Sequence, residues 1–146
     1  MDKITRQSVL DLLNGEWADY VSRFQSLPPT AQAAFLEKQG YKKLTDLLAH
    51  IVAWWEEGMQ AIQRYKNDPA ARQPEIDVDS FNARAVEKVR AVSEVEEIRV
   101  FEEARRKFVE VVQKLSEDDF KDERVLNQIS WELVNHLEDH RINKPG

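Results

Sequence analysis

The 146-residue sequence contains no cysteine, only four glycines and only three histidines. Without cysteine, the chain can form no disulfide, no thiolate metal site and no cysteine nucleophile. With so few glycines, it has no G-x-G-x-x-G or P-loop motif to cradle a phosphate. It also lacks an apolar run of membrane-spanning length, and its N-terminus lacks the apolar core of a signal peptide. We therefore expect a cytoplasmic protein, and any catalysis must use other side chains.

The chain has no concentrated basic surface either. Its formal net charge is −6, and the lysines and arginines are interspersed with aspartates and glutamates. Binding to nucleic-acid phosphates requires clustered positive charge, so we expect no nucleic-acid partner and no membrane partner. The length suits one hydrophobic core, and we predict a single domain over residues 1–146.

Apolar residues recur at every third or fourth position in four long segments, which is typical of amphipathic helices. These segments cover approximately residues 4–27, 45–66, 94–115 and 124–141. A short helix or turn is expected before Gly40, and another short helix after the proline-marked loop that follows the second segment. No segment alternates with the period of two that strands show. Because helices with one apolar face bury it best against one another, we predict an all-α four-helix bundle with a long connection and a short extra helix between the second and third long helices.

Two of the three histidines, His136 and His140, are four residues apart in the last predicted helix. This spacing points both imidazoles in one direction, so that they can bind one metal ion. His50 lies at the edge of the apolar face of the second helix, so all three histidines face or border the interior. Three imidazole ligands leave coordination positions for water or substrate, as in catalytic sites. Histidines also suit helix C-termini and half-buried structural positions, and the spacing alone leaves both interpretations open.

Glu57 is a weak candidate for a catalytic residue. It lies two turns beyond His50 on roughly the same flank of the helix, where it would serve as a base or as an outer carboxylate. A solvated glutamate is the commoner outcome at such a position. Trp54 is expected either to wall a pocket or to belong to the core. A zinc-protease motif is excluded, because Leu137 and not glutamate follows the first histidine of the pair.

Two segments resemble the DinB-like (YfiT-like) superfamily of four-helix-bundle proteins. KKLTDLLAHIVAWWEEG, residues 42–58, is similar to the second helix of that family, where a DLLAHLAxWE pattern carries the first metal-binding histidine. VNHLEDHRI, residues 134–142, is similar to the last helix, where H-x-x-x-H supplies the other two. The resemblance extends from about residue 27 to residue 142 and is closest to the ClbS/DfsB-related branch.

The resemblance implies that His50, His136 and His140 bind a divalent metal, with nickel or zinc most common and iron possible. Family members with assigned activities transfer thiol cofactors such as bacillithiol or mycothiol, or isomerise or hydrolyse small reactive molecules. The resemblance therefore implies a metal-activated thiol or water acting on a small-molecule substrate, with a low-molecular-weight thiol as a candidate co-substrate. A homodimer is also expected.

Two alternatives stay open at this point. Some members of the ClbS/DfsB-related branch lack the full set of histidines, so membership of the branch does not by itself imply a metal. The chain would then be a non-catalytic protein that binds or sequesters a small molecule, or a dimeric helical module without metal. The complete set of three histidines favours the metal-dependent enzyme.

Overall fold

The computed structural model describes residues 4–142, and within that range it is all-helical, without strands. The helices are α1 (Arg6–Asn14), α2 (Glu16–Gln25), α3 (Pro29–Gln39), α4 (Leu44–Asn67), α5 (Val78–Lys88), α6 (Glu94–Lys114), α7 (Glu123–Ile129) and α8 (His136–His140). A 3-10 turn (Asp119–Lys121) precedes α7, and a π-helical segment (Ser130–Asn135) joins α7 to α8. None of the described helices combines the length and the apolar character that crossing a bilayer requires.

The first predicted helix is in fact two helices, α1 and α2, which meet at Gly15. The φ and ψ of Gly15 are −106° and −99°, and a Cβ at this position would lie 2.7 Å from the carbonyl oxygen of Asp11. Only glycine permits so close an approach of the backbone. At the other end of α1, the side chain of Thr5 accepts from the backbone N–H of Ser8 while the Ser8 hydroxyl accepts from that of Thr5. This reciprocal capping fixes where α1 begins.

Both short helices expected from the sequence are present. α3 begins at Pro29, where the missing N–H of proline costs no helical hydrogen bond, and it ends at Gly40, whose φ of 83° is typical of a helix C-terminus. α5 lies in the connection between α4 and α6, and the side chain of Asp77 caps it by accepting from the backbone N–H of Ser80.

α4 is the central helix, with contacts to α3, α5, α6, α7 and the π-helical segment. Its Trp55 is fully buried and meets Trp17 of α2 edge-to-face, with 4.8 Å between the ring centroids. The same indole stacks on Phe101 of α6 at 5.3 Å. Because aromatic pairs of this kind stabilise beyond their buried area, they hold three helices in one hydrophobic cluster.

Two buried indoles bind the π-helical segment to this core. Trp17 Nε1 donates to the carbonyl oxygen of Leu133, and Trp55 Nε1 donates to that of Glu132, each at 3.0 Å. Buried indole N–H groups need acceptors, and these two find them on the backbone of a segment that departs from α-helical geometry. The bonds fix both the position and the rotation of the last helical stretch.

The end of that stretch is held in the same way. The backbone N–H of His136 donates to the carbonyl oxygen of Trp131, five residues back, as π-helical geometry requires. The hydroxyl of Tyr20 in α2 donates to the carbonyl oxygen of His140 at 2.6 Å. The last carbonyls of a helix have no partner within it, so this bond satisfies one of them and positions α8 against α2.

Trp17→Phe keeps an aromatic ring in the core but removes the donor to the Leu133 carbonyl oxygen. We expect the free energy of unfolding to fall by about 1–3 kcal/mol, as measured by urea unfolding. Trp131→Phe is the matched control, because this indole is 55% exposed, and a change within about 0.5 kcal/mol is expected. Equal losses in the two variants would contradict an anchoring role for the buried indole.

Candidate metal centre

The structure brings together His50 of α4 with His136 and His140 of α8. His50 and His136 are buried, and His140 is partly buried. One ring nitrogen from each histidine lies within 4.8 Å of the others, which is close enough for all three to share a metal ion. These are the residues that the sequence predicts as ligands.

Two amide side chains set the tautomers of His50 and His140. Trp54 Nε1, which can only donate, lies 2.7 Å from Asn82 Oδ1, and this oxygen also lies 3.0 Å from His50 Nδ1. His50 Nδ1 therefore carries the proton in this bond. Gln39 Oε1 lies 2.6 Å from His140 Nδ1 and accepts in the same way. The short helices α3 and α5 thus each contribute one amide that orients an imidazole.

With their Nδ1 protons committed, His50 and His140 direct Nε2 lone pairs at each other across 3.1 Å. A neutral imidazole carries one N–H, so neither Nε2 can donate to the other. Protonation does not supply the missing hydrogen near neutral pH, because burial lowers the pKa of His50 and, with the nearby His50, lowers that of His140 to about 4. A cation bound to both nitrogens satisfies both lone pairs. Three neutral imidazoles fit nickel, zinc or iron.

His136 differs from the other two histidines in the group that lies near its Nδ1. Its Nδ1 lies 3.7 Å from Glu132 Oε1, and within residues 4–142 these two are the buried side-chain polar atoms that lack a hydrogen-bond partner. Burial lowers the pKa of His136 to about 3; His50 and His140 add to the effect, and the nearby backbone carbonyl of Glu132 opposes it. Burial also raises the pKa of Glu132 to about 8. Both side chains are therefore favoured in their uncharged forms in this environment.

Glu132 is fully buried, and α4 accommodates it at Gly58. A Cβ on Gly58 would lie 2.5 Å from both Cγ and Oε2 of Glu132. Glycine inside a helix costs about 1 kcal/mol relative to alanine, and here it provides the space for a carboxyl group. Glu132 is not among the residues predicted from the sequence. One feature of the sequence indicates its involvement: Glu132 lies four residues before His136, on the same helix face.

A cavity of about 520 Å³ opens beside the histidines, within the size range of small-molecule sites. The Tyr41 ring lies 5.6 Å from that of His50, and burial together with Asp46 raises its pKa to about 12, so the phenol stays protonated. Apart from Val78, the described lining consists of aromatic and polar side chains: Gln39, Tyr41, His50, Trp54, Asn82, Trp131, Asn135, His136, Glu138, Asp139 and His140.

Glu57 is not brought to the histidines. It is absent from the described lining of the cavity, and its carboxylate pairs with the Arg64 guanidinium at 3.0 Å. Its charge acts on Glu132, whose pKa it helps to raise. This position gives no support to a role as catalytic base. Trp54, by contrast, does line the cavity, whereas its neighbour Trp55 belongs to the core.

In comparisons with known proteins, no family model, no curated protein and no solved structure matched this chain. The family resemblance therefore depends on sequence motifs and on the order in which they occur.

Gly58→Ala is expected to lower the free energy of unfolding by about 1–3 kcal/mol, because the added methyl meets the buried carboxyl group of Glu132. In a Glu132→Ala background the methyl has space, and the substitution should be neutral or stabilising, since alanine is the better helix former. Urea unfolding of the four proteins completes a double-mutant cycle. An equal effect of Gly58→Ala in both backgrounds would show that the two residues do not compete for this space.

The metal-free protein should lose stability in acid through its buried histidines. The pKa of His140 is about 4 in the folded chain, whereas the ordinary value for histidine is 6.5, so the unfolded chain binds the proton first as the pH falls. The stabilising contribution is therefore complete above about pH 6.5 and is lost towards pH 4.

Relative to His140→Gln, the wild type should lose about 2 kcal/mol between about pH 7.5 and pH 5, as measured by urea unfolding with a chelator present. The comparison between variants cancels the titration of groups distant from His140; His136 does not cancel, because His140 contributes to its lowered pKa. A stability difference that does not change with pH would contradict the lowered pKa.

Proposed function

We propose that this protein is a divalent-metal-dependent enzyme of the DinB-like superfamily, a four-helix bundle in which His50, His136 and His140 hold the metal. The observation that carries the proposal is the pair of Nε2 lone pairs, 3.1 Å apart, on two imidazoles whose Nδ1 protons are already bonded. A third imidazole stands within reach of the same point. The order of the two sequence motifs supports the family assignment, and the packing of α4 against α6 and α7 is compatible with a bundle.

Three histidine ligands leave coordination positions for a substrate or a water molecule. When bound, a divalent metal supplies Lewis acidity that lowers the pKa of a coordinated thiol or water and makes it a nucleophile near neutral pH. We propose nickel or zinc, with iron as the third choice. Since the chain has no cysteine, a sulfur nucleophile would come from a low-molecular-weight thiol that binds as a co-substrate.

The chain's own residues orient the ligands and shape the space beside them. Asn82 and Gln39 hold two imidazoles with Nε2 facing inward, so that little reorganisation accompanies metal uptake. The rings of Tyr41 and Trp54 provide apolar walls, and the cavity accommodates a small molecule next to the histidines. The proposed reaction is displacement of a leaving group from this molecule by the thiol, whose proton is released to solvent, or hydrolysis of this molecule by water.

The cavity also favours a second candidate, a non-catalytic protein that binds or sequesters a small molecule. Its lining includes Trp131, an indole that is 55% exposed and available to a ligand. This alternative requires no metal, and it is distinguished by a ligand-dependent rise in melting temperature of the metal-free protein. The homodimer expected from the sequence stays a prediction for either candidate.

Metal analysis of protein purified without a histidine tag tests the proposal. After loading with nickel, zinc or iron and removal of excess ion, the wild type should retain roughly one metal per chain, as three imidazole donors imply. His50→Ala, His136→Ala and His140→Ala should each lose it while circular dichroism still reports the helices.

Glu56→Gln, which changes an exposed residue of α4, is the control and should keep the metal. Stoichiometric metal in any of the three histidine variants would reject the site, and a wild type that retains none of the three metals would reject the proposal. The loaded protein is then assayed with small electrophiles in the presence and absence of a thiol, with chelated protein as the blank.

A further inference from the structure

We propose that Glu132 is a positioning residue for His136: an oxygen of its buried carboxyl group accepts the Nδ1–H of His136 and directs Nε2 towards the metal. This role rests on the proposed function, because it concerns how a ligand is presented to the metal. The family motif quoted for the last helix begins at Val134 and does not include Glu132.

The carboxyl group of Glu132 is held in place by its surroundings. Its Oε2 accepts from Gln128 Nε2 at 2.7 Å, and Gln128 is itself buried. Its Cγ packs into the space over Gly58, and its backbone carbonyl oxygen accepts from Trp55 Nε1. Oε1 is the polar atom of this side chain that has no hydrogen-bond partner within residues 4–142, and it lies 3.7 Å from His136 Nδ1.

His136 Nδ1 is equally constrained. It is also buried without a hydrogen-bond partner among the described residues. Leaving a buried polar atom unpaired is costly, so two such atoms near each other favour a bond between them. The bond requires the present separation of 3.7 Å between Nδ1 and Oε1 to shorten to hydrogen-bond length. Bonds of this kind often tighten only when the site is filled.

The other two histidines show what such a contact does. His50 Nδ1 is bonded to the oxygen of Asn82 and His140 Nδ1 to that of Gln39, which leaves Nε2 free in each. Glu132 supplies the third oxygen in the corresponding place, on the Nδ1 side of His136. Oxygen acceptors behind metal-binding histidines fix the tautomer and orient the ring.

Glu132 is not a fourth ligand in this arrangement. The cluster of mutually close donor atoms consists of the three histidines and does not include Glu132, whose carboxyl group approaches Nδ1 of His136. The acceptor role needs a lone pair on Oε1 that faces Nδ1, which the carboxylate offers and which the neutral carboxyl group offers only when its hydrogen is on Oε2. Glutamine at this position keeps an oxygen for Nδ1 when the Gln128 amide, which donates to Oε2 in the wild type, turns over to accept from the new amide nitrogen, whereas leucine offers no acceptor.

The first test is the tautomer of His136 in metal-free wild-type protein, read by long-range proton–nitrogen NMR of the imidazole rings. The chain has three histidines, so the signals that disappear in His136→Gln identify the residue. We expect the proton on Nδ1 in the wild type and in Glu132→Gln, and a shift towards Nε2–H in Glu132→Leu. A wild-type His136 that carries its proton on Nε2 would overturn the role without any Glu132 variant.

The second test is Zn²⁺ affinity, measured by competition with a chelator. Glu132→Leu should weaken binding about 10–100-fold, and Glu132→Gln should recover most of the loss. Glu123→Leu, at an exposed position in α7, is the control and should bind as the wild type does. Circular dichroism confirms that each variant is folded.

Wild-type affinity and an unchanged tautomer in folded Glu132→Leu would overturn the inference. So would a loss of metal as complete as in His136→Ala with the tautomer unchanged, because that pattern indicates a direct ligand. A wild type that binds no metal would reject the proposed function instead, and the NMR measurement would still decide whether Glu132 sets the tautomer of His136.

Discussion

The two hydrogen bonds from the buried indoles of Trp17 and Trp55 to the backbone of the π-helical segment are the contacts on which the site depends. They join the hydrophobic core to the carbonyl oxygens of Leu133 and Glu132. Because a buried indole N–H needs an acceptor, the core cannot close without fixing the rotation of the last helical stretch. That rotation in turn aims His136 at the histidine of α4. Packing and site geometry therefore have a common origin.

The histidine centre places polar groups in the protein interior, where apolar groups would cost less free energy to bury. Burial keeps the three imidazoles neutral, and amide oxygens from α3 and α5 satisfy the outer nitrogens of two of them. In each of those two rings, the hydrogen bond at Nδ1 is made and Nε2 is the nitrogen that these bonds leave without a partner. An apolar cluster of the same volume would cost the fold less, so stability alone does not account for these residues.

The positions of the helices and the convergence of the three histidines were predictable from the sequence. Both depend on which face of each helix is apolar, and the sequence indicates this for each helix separately. His50 and His140 are 90 residues apart in sequence, yet each was assigned to an inward or bordering face. The break at Gly15 was not predictable from periodicity, since the apolar spacing continues through it. Asn82 and Gln39 lie on short helices whose place is decided by tertiary packing, so no local pattern connects them with a histidine. Glu132 was missed because a lone glutamate in an amphipathic helix is usually solvated.

Several departures from local rules fall in one region. A glycine stands inside α4, a π-helical segment interrupts the last helix, and a carboxyl group and two imidazoles are buried between them. Each feature alone lowers stability, and each is explained by the residue that it contacts or carries. Gly58 gives Glu132 its space, Glu132 faces His136, and the π-helical segment carries Glu132. Where several costs converge in a fold that otherwise follows the rules of helix packing, the compensation is expected from what the region binds. A cation shared by the histidines would compensate the unpaired ring nitrogens, because the three rings lie close enough to hold one.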